Sequence, residues 1–344
     1  MKIKAIGYAL PNKKVTNEDI LRDVEQKSSR HMSQGELKKL ISTIKDLFRK
    51  SGSNVRYHRA EGETALSFGI KAGKEALEKA DMSPKDIDLL LYVGVGRGWV
   101  EPATSNVFID ALKLTNATGY DILDACASWM RALQVADLYT KTGTYKNVMI
   151  MNCEFNIQEY TTTEFKGLHE LDYLFPGITI GEASTAAIFT ASPDNDFYFT
   201  FKTWGEKHNL CKVPLPNLKQ FTTGELAELD TLRFYSYGEK LFKFALPKIC
   251  RHYLEDEYLR AFNYDIIFSH AASDPMTEKV IKLSKLDLNK AYNIHGRCGN
   301  TVSASVPLAM GLAMDDGRLR PGNNVLVGFG SAGFTSAWCA FQHN

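Results

Sequence analysis

Two parts of this chain repeat one another at a fixed distance, and that repetition constrains the fold more than any other feature. A helix-like run from Leu66 to Ala80, an acidic turn and the apolar stretch DIDLLLYVGVG (86–96) are matched by Leu241 to Phe262 and YDIIFSHAAS (264–273). Asp88 and Asp265, which open the two apolar runs, lie 177 positions apart, and so do Val148 and Val325, where two later strand-like runs begin. Between these points, YDILDACASWMRALQVADL and YNIHGRCGNTVSASVPLAMGL share one order of strand, small-residue turn and helix. Four elements in the same order at nearly constant offset predict a duplicated α/β unit, against the alternative of one doubly wound sheet with a chance echo. The halves are placed at 1–190 and 191–344. Residues 191–240, rich in aromatic and polar residues, read as an excursion outside the core, and 26–50 as an insert carrying a charged amphipathic helix, either a lid or a surface decoration.

Composition narrows the class further. With 344 residues, 44% of them hydrophobic and 24% charged, the chain can bury a large core. A formal net charge of +1 gives no global reason to expect nucleic acid or an anionic membrane as a partner. The apolar run near the start is short and cut by Pro11, so no secretion signal is expected, and no stretch of eighteen apolar residues suggests a membrane span. A cytoplasmic protein is the expectation. Six scattered cysteines without a CxxC pair argue against a zinc site and a disulfide scaffold, so reduced thiols and no metal are expected.

Three places carry residues suited to chemistry. Cys126 sits where a strand-like run turns into a helix-like one; at a helix N-terminus the dipole and unpaired N–H groups favour the thiolate, although free cysteine is also a common buried filler. His270 ends the apolar run DIIFSH, at the carboxyl end of a buried strand, where ligands sit in open α/β sheets. A hydrogen-bonded structural histidine is the alternative. Asn300, in HGRCGNTVSASVP, precedes the helix that echoes the one after Cys126 and would serve otherwise as a plain N-cap. Finally, GFGSAGFTSAW (328–338) places small residues after a strand, where exposed N–H groups can hold a developing oxyanion; no lysine follows, which excludes a Walker-type phosphate loop.

Taken together, DACAS (124–128), FSHAAS (268–273), GRCGNTVSASVPLAM (296–310), GFGSAGFTSA and the opening IKAIGYALPNKKVTNEDI resemble the thiolase superfamily, and within it the β-ketoacyl-acyl-carrier-protein synthase III group. The resemblance implies a duplicated thiolase-like fold layered α-β-α-β-α. It implies that Cys126 accepts an acyl group, that His270 and Asn300 donate hydrogen bonds to the carbonyl of a second thioester, and that the N–H groups of Cys126 and Ala332 form an oxyanion hole. The implied reaction is a Claisen condensation by a homodimer, with coenzyme A or acyl-carrier-protein thioesters as substrates and no other cofactor.

Two departures from that group matter. After the histidine the chain reads AASDPM, with Asp274 and Pro275 where a basic contact for the carrier protein is usual. Glu101, before Pro102 and 25 positions ahead of Cys126, stands where the fatty-acid enzymes have an aromatic residue. A glutamate there resembles head-to-head condensing enzymes of the olefin, pyrone and dialkylresorcinol type, in which a carboxylate acts as base on the second acyl chain. The expectation is a secondary-metabolism ketosynthase of polyketide type, with Glu101 reaching across the dimer. Alternatives are a decarboxylating starter-unit synthase, an acyltransferase without condensation, a catalytically silent partner subunit, and a solvated Glu101 or one paired with Arg97.

Overall fold

Strands that are apolar on both faces need cover on both sides, and the computed structural model shows what supplies it. The structure describes all residues other than 156–157, 194–195 and 271, and only the backbone of 227 and 329. The first half contains β1 (Lys2–Ala9), β2 (Lys13–Thr16), β3 (Val55–His58), β4 (Leu89–Val93), β5 (Thr118–Ile122), β6 (Asn147–Glu154) and β7 (Ala183–Thr190). Its helices of eight residues or more are α1 (Asn17–Ser28), α2 (Gln34–Ser51), α3 (Ala65–Ala80), α4 (Thr104–Ala111) and α5 (Ser128–Thr142). The second contains β8 (Tyr198–Thr203), β9 (Cys211–Lys212), β10 (Tyr235–Ser236), α6 (Gly238–Glu255), β11 (Ile266–Ser269), α7 (Asp274–Leu283), α8 (Ser305–Asp315), β12 (Asn324–Ser331) and β13 (Thr335–Gln342).

Two main sheets result, in the orders β1-β7-β6-β4-β5 and β8-β13-β12-β11, with β2-β3 and β9-β10 as separate two-stranded pairs. The main two are the same sheet built twice, since β1, β7, β6 and β4 correspond to β8, β13, β12 and β11, with β5 as an addition to the first. One core lies between the sheets, where Leu91, Val148 and Phe189 meet Phe268, Val327 and Phe341 around α5 and α8. A second lies under α3 on the outer face of the first sheet, and a third under α6 and α7 on the outer face of the second. The layering is α-β-α-β-α.

The duplication extends to individual hydrogen bonds. Asp88 accepts from the Asn147 N–H and Asp265 from the Asn324 N–H, while the Asn147 and Asn324 side chains donate to the carbonyls of Asp86 and Asn263. All of these pairs are related by the 177-residue offset. One expectation fails: 191–240 is not wholly an excursion, because β8 pairs antiparallel with β13 along its length. The aromatic residues there alternate with polar ones, and Phe199 and Phe201 pack against the central core, as an edge strand requires.

The turns after β5 and before α8 are also copies. Ala125 has φ 44° and Val302, 177 positions on, φ 50°. Non-glycine residues rarely adopt that conformation, and a β-branched one least of all, so the surroundings must hold it. Each turn is held by the opposite half. The Ser331 hydroxyl, at the end of β12, accepts from the Ala127 N–H and donates to the Asp124 carbonyl. Glu154, at the end of β6, accepts from the N–H and hydroxyl of Ser303.

The insert 26–50 takes in the end of α1 and nearly all of α2, and each helix is opened by a capping box, at Thr16 with Asp19 and at Ser33 with Glu36. Leu40, Ile44 and Phe48 of α2 pack on Phe165, Leu174 and Ile178. Gly52 ends the helix at φ 76°, and a Cβ there would come within 2.0 Å of Asp274 Oδ2. Asp274, the first departure noted in the sequence, thus sits against the end of the inserted helix, held by the Asn293 amide at 2.7 Å.

Removing either cross-half link should cost stability without altering topology. Ser303→Ala and Ser331→Ala are each expected to lower the unfolding free energy by about 1–3 kcal/mol, the cost of stranding buried hydrogen-bond partners, read as a shift in urea midpoint at unchanged slope.

Candidate active site

The two copied turns and the two strand ends beside them face one cavity of about 780 Å³. Cys126, His270, Asn300 and Ala332 all line it, from elements as distant in sequence as the β5 turn and the β12–β13 turn. Leu47, Lys50 and Ser51 of α2 also line it, so the insert is a wall of the cavity and not a remote decoration.

Cys126 lies in the short 3₁₀ turn Ala125–Ala127 that leads into α5. The thiolate expected from a helix N-terminus is not the resting state. Burial pushes the thiol well above its ordinary pKa, with Cys211 and Glu154 adding to the effect, while the N–H groups of Cys126 and Ala332 pull the other way. Desolvation of the anion outweighs the dipole.

His270 is held by its Nδ1, 3.2 Å from the Ser305 hydroxyl. That hydroxyl is itself the donor to the Val302 carbonyl and also accepts from Thr301, so it accepts from His270. The network therefore assigns the ring proton to Nδ1 and the basic lone pair to Nε2. Burial, with help from His295, lowers the His270 pKa to about 4, against the pull of the Val302 carbonyl. The imidazole is neutral at pH 7.

Asn300 is not the N-cap of α8, which begins five residues later. Its backbone bridges Ile180, with its N–H on the Thr179 carbonyl and its carbonyl on the Gly181 N–H. The side-chain Oδ1 accepts from the Val302 N–H at 3.0 Å, which turns the Nδ2 donor away from that bond. A Cβ on Gly181 would lie 2.1 Å from the Cys298 carbonyl, so the strand can approach this loop only with glycine there.

Glu101 is exposed, on a loop with Trp99 and Val100, and does not line the cavity of its own chain. Arg97, considered as its partner, lies 3.8 Å from Asp121. Three residues of the site were not singled out from sequence. Glu154, buried and with its pKa raised by desolvation, accepts from the N–H groups of Val95 and Gly96 as well as from Ser303. Cys211 lines the cavity near Cys126, and Ser305 orients His270. The 177-residue offset would have found Glu154, since it maps onto Ser331.

Among the described residues no cluster of three or more metal-ligating side chains occurs, and no helix is long and apolar enough to cross a membrane.

A thiol, a neutral imidazole and an amide converge where two copies of one α/β unit meet, residue types suited to acyl transfer. The known proteins that this chain resembles agree. Residues 254–343 match the family described as 3-oxoacyl-[acyl-carrier-protein] synthase III, C terminal. The β-ketoacyl-[acyl-carrier-protein] synthase III of Clostridium tetani is 28% identical over 322 residues, covering 90% of this chain and 92% of that protein. That of Clostridioides difficile is 27% identical over 286 residues, covering 82% and 84%. Among solved structures, the Aquifex aeolicus synthase III aligns over 99% of both chains with a TM-score of 0.79 at 22% identity. OleA of Xanthomonas campestris, solved with lauric acid and lauroyl-CoA, covers 99% of this chain and 98% of its own with a TM-score of 0.83 at 17% identity. Over most of its length the chain is similar to β-ketoacyl-[acyl-carrier-protein] synthase III proteins, condensing enzymes of the acyltransferase class, and it shares their thiolase-type fold.

Burial of imidazoles also sets an acid limit. His58, His252 and His270 each have a pKa lowered by burial from 6.5 to about 4. The unfolded chain takes up these protons first, so stability is full above pH 6.5 and is lost as pH falls towards 4. His252→Gln should reduce the slope of unfolding free energy against pH in that window by about one proton. An unchanged slope would show that His252 titrates normally in the folded state.

Proposed function

We propose that the protein loads an acyl group on Cys126 and joins it to a second acyl thioester by Claisen condensation. The observation that carries this is the single cavity lined by Cys126, His270, Asn300 and Ala332. A raised thiol pKa calls for a base, and the neutral His270, with its lone pair on Nε2, is suited to take the Cys126 proton. The thiolate attacks the first thioester, and the N–H groups of Cys126 and Ala332 hold the oxyanion until the thiol of the carrier leaves with the proton from His270. In the second half-reaction, Nδ2 of Asn300 donates to the incoming carbonyl and stabilises its enolate, whose carbon attacks the Cys126 thioester and releases the cysteine sulfur as a thiolate.

The α-proton is assigned to Glu101 of the partner subunit in a homodimer. Supporting this, Trp99 and Val100 beside it are strongly exposed, and Leu123 is 61% exposed although it lines the cavity, as a wall awaiting a second chain would be. This reading makes the second substrate a β-ketoacyl thioester on coenzyme A or a carrier protein, in a cytoplasmic pathway of secondary metabolism. The decarboxylative alternative, with a malonyl thioester, draws on the synthase III relatives and needs no base.

A condensation assay separates the two. With an acyl thioester and a β-ketoacyl thioester, product is expected without CO₂ release, and Glu101→Gln should slow it by about one to two orders of magnitude, the loss of a general base. CO₂ release from malonyl thioester, with Glu101→Gln unaffected, would establish the starter-unit reaction instead. Cys126→Ala is expected to abolish product and the acyl adduct seen by mass spectrometry. Asn300→Ala should still load but form no carbon–carbon bond; loss of loading in the folded variant would overturn the division of roles.

A further inference from the structure

Six cysteines are spread through the chain, and the fold treats two of them differently. Cys153, Cys250, Cys298 and Cys339 are buried, whereas Cys126 and Cys211 keep some exposure and both line the cavity of the site. A thiol packed on all sides behaves as an apolar filler. Two thiols open to one cavity have each other as a reaction partner.

Strand alternation brings Cys211 to the Cys126 side. β9 and β10 form a two-residue antiparallel ladder in which Cys211 stands opposite Ser236 and Lys212 opposite Tyr235. Directly opposed side chains share a face, as do residues two apart, so Cys211, Ser236 and Phe234 point one way. All three line the cavity. The Lys212 ammonium sits over the rings of Tyr235 and Tyr237, neither of which is part of the lining. Phe234 and Cys126 pack against the same buried residues, Ile180 and Val302, which ties this face of the ribbon to the Cys126 turn. After burial, charge on Cys211 is the largest influence raising the Cys126 pKa, so the two sulfurs are electrostatic neighbours. The ribbon belongs to neither main sheet, so drawing Cys211 onto Cys126 parts no strand of the core.

We propose that Cys126 and Cys211 are a peroxide-responsive pair that oxidation closes into an intramolecular disulfide. The Cys211 sulfur attacks one oxygen of hydrogen peroxide, the O–O bond breaks and water leaves, giving a sulfenic acid. The Cys126 sulfur then attacks the Cys211 sulfur, the S–O bond breaks and a second water leaves with the remaining thiol proton. Each sulfur gives up one electron and peroxide takes two. Burial holds both thiols above their ordinary pKa, so the bridge forms slowly, and a dithiol reductant reverses it by exchange. On the reading of Cys126 as acyl acceptor, the bridge keeps the nucleophile recoverable, short of the irreversible sulfinic acid.

A non-reducing peptide map tests this. The purified protein is incubated with excess hydrogen peroxide, its remaining thiols are alkylated after denaturation, and the digest is read by mass spectrometry. A linked pair of peptides carrying Cys126 and Cys211 is expected, lighter by two hydrogens than the separate peptides. Alkylation of both cysteines should fall about tenfold and return with dithiothreitol, while Cys153, Cys250, Cys298 and Cys339 stay alkylated as thiols sealed in a folded core. In Cys211→Ser and Cys211→Ala, with melting temperature as the check on folding, the dithiothreitol-reversible loss at Cys126 should disappear. Absence of the linked pair from wild type, a link to a buried cysteine in its place, or a reversible loss that survives in a folded variant would overturn the proposal. Because the map reads bonds and not product, a protein that forms the link but joins no acyl thioesters counts against the proposed function and not against the pair.

Discussion

The reciprocal hold of each half on the other's tightest turn is the constraint on which the rest depends. Ala125 and Val302 occupy a conformation that costs about 1–3 kcal/mol for residues with a side chain. Neither turn could persist on its own. Ser331 steadies the first and Glu154 the second, and each comes from the end of a strand in the opposite half. The groups that could react are thereby fixed relative to one another before any substrate arrives, which is what preorganised catalysis requires.

That arrangement buries the chemistry. Burial raises the Cys126 thiol, keeps His270 neutral and raises the Glu154 carboxyl. The three shifts share one cause, desolvation of the charged form. The protonated thiol and the neutral imidazole keep the thiolate from forming in the resting site.

Much of this was legible in the sequence because duplication leaves a linear trace. The 177-residue spacing of Asp88 and Asp265 reflects a repeated pairing with Asn147 and Asn324, and strands with apolar residues on both faces announced layers on both sides. Cys126 and His270 were visible as polar residues at the ends of buried runs. Glu154 has the same signature at the end of β6, but no catalytic motif in the sequence marks it. Asn300 looked like a cap, since only the folded chain shows Val302 N–H on its Oδ1. β8 reads as an excursion in sequence because edge strands mix aromatic and polar residues much as loops do.

By itself, the sequence determined the repeated unit, its sheets and the residue types at each strand end, because side-chain alternation and helical spacing are local properties of the chain. Only the tertiary structure decided how those ends meet. The raised thiol pKa, the tautomer of His270, the α2 wall and the cavity shared by Cys126 and Cys211 arise from atoms distant in sequence. Desolvation and hydrogen-bond geometry depend on what surrounds a group in space, and no stretch of sequence contains its own surroundings.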